Sequence, residues 1–345
     1  ANIYCSPQRH EDKHGGVSAA NYMQIAVGIL GLCATSMRGM MTTAALFAWV
    51  IPMRFWPRTF LPVNRNIALA FLPGFAFAAW FLYWHYQSAG WIGYHAGSPW
   101  AEAFQPGNLR NILVVGWRWL DFGRVFEWLV VFYLIAKIIS NRSTPPFREN
   151  AIESKSALQQ SVLFLFFLLV LFLTPSAVLY QNLSAHRYFL PCFLCLHLVF
   201  LQLLTAAHFS PLKKKVLLSI VVLGLFTGNC WIYPRGISMD WDSTLAHLPY
   251  HELRSEAIQY LDAHRIDFLS VGTAFPNINT GENLMLNGDQ RIFSEKDLAK
   301  NEYVLASNIF NDFSEQEYRR LEKDWMIIWQ KQRLGVWMTL YAKKK

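Results

Sequence analysis

The chain has 345 residues, 53% of them hydrophobic and 16% aromatic, with only 16% charged and a formal net charge of +8. A soluble domain carries roughly 25% charged residues, so the composition excludes an ordinary pair of water-soluble domains. The charge is also uneven: from Pro234 onward 14 Lys and Arg stand against 16 Asp and Glu, leaving 17 basic and 7 acidic residues before it. The excess of base therefore belongs to the apolar part. The positive-inside rule accounts for it better than nucleic-acid binding does, and no nucleic-acid partner is expected.

Residues 1–21 are polar, begin with Ala and lack the basic start, short apolar core and small-residue cleavage site of a signal peptide. They read as a loop within a longer protein. The apolar part, residues 22–233, follows. A hydrocarbon layer about 30 Å thick takes about 20 apolar residues as helix. Tyr22 to Ile51 exceeds one such span, and Ser36-Met37-Arg38-Gly39 in its middle predicts a break. A charge at the bilayer centre costs roughly 2.5–3.5 kcal/mol on insertion scales, so Arg38 is expected at an interface or facing the bundle interior.

Further apolar runs are Ile67 to Tyr86, Phe122 to Ile139, Leu158 to Tyr180, Tyr188 to Ala207 and Val216 to Tyr233, six to seven spans in all. Basic residues gather in three connections: Arg54, Arg58 and Arg65; Lys137, Arg142, Arg148 and Lys155; and Lys213 to Lys215. Counting spans puts all three on one side, which is then cytoplasmic. The other side receives Gln87 to Asp121, Gln181 to Arg187 and everything after Pro234. The expected location is the cell (inner) membrane, multi-pass, with an extracytoplasmic or periplasmic C-terminal domain. Of Cys5, Cys33, Cys192, Cys195 and Cys230, the pair at 192 and 195 has CxxC spacing but lies inside an apolar helix, where small packing residues one turn apart are the plainer reading.

Residues 234–345 read as a small α/β domain. Leu253, Ala257 and Leu261 have helical spacing; Phe268 to Val271 and Tyr303 to Ala306 are strand candidates; Ser314-Glu315-Gln316-Glu317 is a capping box with Tyr318, Leu321 and Trp325 behind it. Met326 to Gln330 and Val336 to Tyr341 flank Gly335 as a terminal hairpin. This part shows no phosphate loop, metal-ligand spacing or nucleophile motif. The expected fold class is thus mostly α: a polytopic transmembrane helix bundle with a small C-terminal α/β domain.

Only Glu102, Asp121 and Glu127 supply external carboxylates before Pro234. Arg118, Asp121, Arg124 and Glu127 alternate in sign at three-residue spacing, which on one helix gives a drifting ladder of pairs. The ladder is either a self-neutralising interfacial helix or the edge of a site for phosphate or sugar. His186-Arg187-Tyr188 precedes an apolar helix. Arg187 there is either a snorkelling interfacial Arg or a planar fork for a lipid phosphate. Trp91, Tyr94, Trp100, Trp117 and Trp119 read as an interfacial aromatic belt or as a sugar-stacking platform.

Three features together resemble a polytopic glycosyltransferase of the GT-C type, nearest to bacterial members of the dolichyl-phosphate-mannose protein mannosyltransferase and aminoarabinose transferase group. They are Ser36-Met37-Arg38-Gly39 between apolar helices, Ala185-His186-Arg187-Tyr188-Phe189-Leu190-Pro191 opening a late helix, and a last span followed by a small α/β domain. The resemblance implies inverting transfer of a sugar from a polyprenyl-phosphate donor to a glycan, lipid or protein acceptor on the extracytoplasmic face, without a cofactor or an evident divalent metal. It implies donor-phosphate binding by Arg187 with His186 and Tyr188, and a cavity edged by Arg38, Arg118, Arg124, Trp91 and Trp100. The family's general base is an Asp in the first external loop. No acidic pair stands in such a loop here, so the chain is expected to be the C-terminal part of such an enzyme and inactive alone. Asp121 and Glu102 are the remaining candidates for the base. A transporter or flippase, which calls for internal repeats and broken helices, and a membrane anchor presenting a partner-binding domain are the alternatives.

Overall fold

The computed structural model describes residues 19–53, 65–92, 106–141, 149–180, 185–234, 244–310 and 313–344. Glu102, Tyr94 and Trp100, and the basic residues Arg54, Arg58, Arg142 and Arg148, lie outside that set. The chain divides into two compact units, Ala1–Asp121 with Glu127–Leu217, and Phe122–Phe126 with Leu218–Lys345.

The first unit is helical. Its elements are α1 (Ala19–Thr35), α2 (Met37–Met53), α3 (Arg65–Leu69), α4 (Leu72–Ala89), α5 (Leu109–Leu120), α6 (Arg124–Asn141), α7 (Glu149–Leu179) and α8 (Leu190–Ala206), with the first three residues of α6 and the later part of α9 (Pro211–Gly228) belonging to the other unit. The expected break falls at Ser36, which alone separates α1 from α2. Its hydroxyl accepts the Gly39 N–H at 3.1 Å, a serine N-cap. Gly39 lies so close to the Leu32 carbonyl that a Cβ would overlap it. The two helices fold back on each other there. The Cys33 thiol reaches Thr43 Oγ1 at 3.4 Å, and Ile29 and Val50 share one buried cluster with Phe71.

Three helical stretches are long and apolar enough to cross a membrane: Asn66–Ala89, Gln160–Leu179 and His186–Ala206. Their outward residues are large and apolar, among them Trp80, Tyr83 and Trp84 on α4, Phe167 and Leu171 on α7, and Leu194 and Leu198 on α8. Contiguous exposed apolar surface of this kind is what lipid solvates. Helices α1 and α2 are shorter, and α6 and α9 carry three charged residues each. Cys192 and Cys195 are buried free thiols, and Cys195 packs its Sγ 3.6 Å from the Val162 carbonyl.

One expectation is corrected. Arg118, Asp121, Arg124 and Glu127 do not share a helix. α5 stops at Leu120, the chain turns through Asp121–Gly123, and α6 begins at Arg124. Phe122 and Gly123 both take left-handed backbone, φ 54° and 77°, which ends a right-handed helix. Gly123 also abuts the Gly224 carbonyl of α9 too closely for any side chain.

The second unit holds a five-stranded sheet: β1 (Val271–Thr273), β2 (Ser294–Glu295), β3 (Tyr303–Ser307), β4 (Trp325–Arg333) and β5 (Val336–Lys343), in the order β2-β1-β3-β5-β4. β1 runs parallel to β2 and β3, and β5 runs antiparallel to β3 and β4. α10 (Pro249–Ala263) covers one face: Leu253, Ala257 and Leu261 are buried with Leu305, Val336, Met338 and Leu340, and the short α11 (Gly281–Met285) lies between β1 and β2 in the chain. α12 (Glu315–Asp324) covers the other, packing Tyr318 and Leu321 with Val304, Ala306 and Tyr341. Each such side chain contributes about 1.5–3 kcal/mol by leaving water. The Ser314–Glu317 capping box opens α12 as expected. The hairpin closes on Leu334 and Gly335, φ 48° and 86°, the two-residue loop whose twist suits paired strands. Phe268–Ser270 is a 3-10 turn rather than strand, because Asp267 caps it through Leu269 N–H; β1 starts only at Val271.

Candidate functional site

A 3-10 turn, His186–Phe189, precedes α8, and Pro191 in the first turn of α8 fits a helix start because it has no N–H to leave unpaired. Around this turn the first unit gathers Arg38, Arg118 and Asp121. His186 Nε2 lies 3.3 Å from Asp121 Oδ2, and Arg118 Nη1 lies 3.7 Å from the same oxygen. Asp121 is wholly removed from solvent. Its position just beyond α5 puts it one turn from Arg118 and beside the turn that holds His186.

From α2, the half-buried Arg38 donates from Nη1 to the Leu173 carbonyl at 3.0 Å and to Ser176 Oγ at 2.5 Å. Pro175 stands between these two partners inside α7. Pro175 removes the N–H that would otherwise meet the Leu171 carbonyl, two residues before the carbonyl that Arg38 reaches. The guanidinium carbon of Arg38 sits 4.8 Å from the centre of the Tyr188 ring, and that of the exposed Arg187 sits 5.4 Å from it. Two cations thus share one aromatic ring, each within cation–π range.

The end of α7 is fixed from α5. Asn108 caps α5 by accepting the Asn111 N–H, and the Asn111 side-chain amide donates toward the carbonyls of Ala177, Val178 and Tyr180 at 2.7–3.0 Å. The Gly107 N–H adds a bond to the Leu179 carbonyl at 2.7 Å. Beneath the turn, Phe189 and Phe193 pack on Trp119 at 5.6 and 5.3 Å between ring centres, and Trp128 Nε1 donates to the Trp119 carbonyl. Trp119 is therefore a packing residue of this floor.

A second carboxylate–imidazole pair lies deeper along the same helices. Glu127 of α6, fully buried, holds His197 Nδ1 of α8 at 2.6 Å. His186 and His197 are eleven residues apart, about three helical turns, so both can face the segment carrying Asp121 and Glu127. That spacing was available in the sequence; Asn111 and Ser176 had no comparable signal. Arg124, nearly buried, stands over the Phe122 ring at 5.5 Å, and Trp91 packs edge-on against His85 after α4.

The cluster has a chemical bias. Arg38, Arg118 and Arg187 bring three guanidinium groups to the His186–Tyr188 turn or to its partner Asp121, against that one carboxylate. Such an excess favours an oxyanion, and a phosphate most, since guanidinium forks match its oxygens. Among the described residues no group of three or more His, Cys, Asp and Glu is arranged to hold a metal ion. Comparison with family models, with curated proteins and with solved structures finds no match for this chain.

Proposed function

We propose that the chain is the carrier-phosphate part of a membrane glycosyltransferase, which moves a sugar with inversion from a polyprenyl-phosphate donor to a glycan, lipid or protein hydroxyl on the extracytoplasmic face. The observation that supports this most is the gathering of three guanidinium groups about one short turn at the end of an apolar helix. In this reading Arg187, the exposed member, meets the donor phosphate first; Arg38, His186 and Tyr188 complete its surroundings. Asp121 is a positioning residue that keeps Arg118 and His186 in place. As the glycosidic bond breaks, charge grows on the departing phosphate, and fixed cations lower the energy of that state. The reading includes six to seven spans in the inner membrane, with the basic connections cytoplasmic and the C-terminal domain outside.

The test is binding, measured on the purified chain in nanodiscs with farnesyl phosphate and farnesol by native mass spectrometry. The phosphate should bind and the alcohol should bind far more weakly. A hydrogen bond to a charged group contributes roughly 1.5–3 kcal/mol, so Arg187→Ala and Arg38→Ala should each weaken the phosphate by about tenfold to a hundredfold. Equal binding of phosphate and alcohol, or variants that bind like the parent, would remove the proposal.

A further inference from the structure

The two ends of the C-terminal sheet differ in what adjoins them. β3 and β4 both run antiparallel to β5, and β1 runs parallel to β3, so the C-terminal ends of β1, β3 and β4 lie at one end of the sheet. Large apolar side chains stand exposed there: Phe275 and Ile278 follow β1, and Leu334, 88% exposed, tips the β4–β5 hairpin. The arrangement is held firmly. Phe310, following β3, packs on Phe275 at 5.6 Å, and the buried Asn308 donates to the Gly335 carbonyl and accepts the Trp337 N–H. The opposite end carries exposed Leu269, Met326 and Ile327 together with Lys343 and Lys344, with Lys300 nearby, since Lys343 Nζ reaches the Ala299 carbonyl and Lys344 Nζ the Lys323 carbonyl.

The end with Phe275 and Leu334 is the one where α9 joins this unit. Gly335 rests against Ile232, four residues past the end of α9, and the Ala246 N–H bonds to the Asn229 carbonyl at 3.0 Å. That bond anchors the 3-10 turn Leu245–His247, from which Leu245 and Leu248 also point into solvent. On α9 itself Val222, Leu223 and Phe226 are exposed, and Trp231 and Tyr233 follow within two turns. Apolar residues giving way to Trp and Tyr mark the level where a helix leaves the hydrocarbon.

We infer that this end of the sheet is seated in the interfacial layer of the bilayer that holds α9, with Leu334, Leu245, Leu248, Phe275 and Ile278 in contact with lipid. Its occupant is the membrane surface itself, because the unit's own apolar helix emerges at that level. Apolar side chains presented together at such a surface bind by the area they bury among headgroups and upper acyl chains. A nine-residue strand spans about 30 Å, so the lysine end stands well clear in water. The inference rests on α9 lying in the bilayer.

The experiment places an environment-sensitive fluorophore on single cysteines in the full chain, with Cys5 and Cys230 replaced by Ser, reconstituted in phosphatidylcholine vesicles. The sites are Leu334→Cys, Phe275→Cys, Leu223→Cys on α9 and Lys323→Cys at the far end. Labels at 334 and 275 should show blue-shifted emission and lose intensity to lipids carrying a shallow nitroxide, as the label at 223 does, while that at 323 does neither. Quenching at 223 with 334 and 275 behaving like 323 would overturn the seating alone. Failure of quenching at 223 would overturn the membrane position of α9 and the seating with it.

Discussion

His186 and Asp121, separated by 65 positions in the chain, meet at 3.3 Å in the interior of the helical unit, with Arg118 3.7 Å from the same carboxylate oxygen. Removing one partner from such a buried group leaves the other's charge uncompensated, at roughly 3–5 kcal/mol. Asp121→Ala should therefore lower stability by about that amount, and Asp121→Asn, which keeps the shape, by less. Thermal unfolding in detergent, followed by tryptophan fluorescence, measures both. An Asp121→Ala protein as stable as its parent would deny the carboxylate this role.

Asn111 tests the junction of α5 and α7. Asn111→Asp preserves size but replaces the donating amide with an acceptor facing three carbonyls, where a helix terminus is already negative. Each buried group left unsatisfied costs about 1–3 kcal/mol. Asn111→Asp should be more destabilising than Asn111→Ala in the same unfolding assay, the reverse of what loss of packing volume alone would give.

Gly39 tests the α1–α2 corner. Any side chain there meets the Leu32 carbonyl, and overpacking of this kind costs about 1–3 kcal/mol. Gly39→Val should open the pair and expose the buried Cys33. Faster reaction of Cys33 with a maleimide, against an unchanged rate in Gly31→Val, where a Cβ meets nothing, is the expected result.

His251 gives the C-terminal unit a pH dependence. Its pKa is lowered, first by burial and then by the nearby His247 and Arg254. The folded state thus holds fewer protons than the unfolded chain between the two pKa values, and its stability rises with pH. The stabilisation is complete above the ordinary histidine value and is lost as pH falls through and below it. Denaturant unfolding of the chain at pH 7.5 and pH 5 should show the loss, and His251→Gln should flatten it.

Local chemistry was legible in the sequence where one short segment carries the whole cause. The excess length of Tyr22 to Ile51 and the Ser36-Met37-Arg38-Gly39 step in its middle forecast the break at Ser36. The Ser314–Glu317 spacing forecast the start of α12, and Gly335 the hairpin. Of the site, Arg38, Arg118, Asp121, His186, Arg187 and Tyr188 were legible, and so was the i,i+3 pair of Arg118 with Asp121. The rest of the expected ladder was not, because the left-handed Phe122 and Gly123 end the helix there. Glu127 then pairs with His197, 70 positions away, and Arg38 with Ser176, 138 away. Such partners are chosen by helix packing, which no local pattern encodes. β2 is two residues long and is a strand only because β1 lies beside it.

The single-residue corner at Ser36 bears on how the protein reaches its membrane. With α1 and α2 already folded back on each other, no hydrophilic connection has to be pulled through the hydrocarbon between them. Arg38 is the only charged residue of the pair, which is otherwise largely apolar. In the proposed topology the pair would enter the bilayer during synthesis as one piece, before Leu173 and Ser176, which receive that charge, have been made.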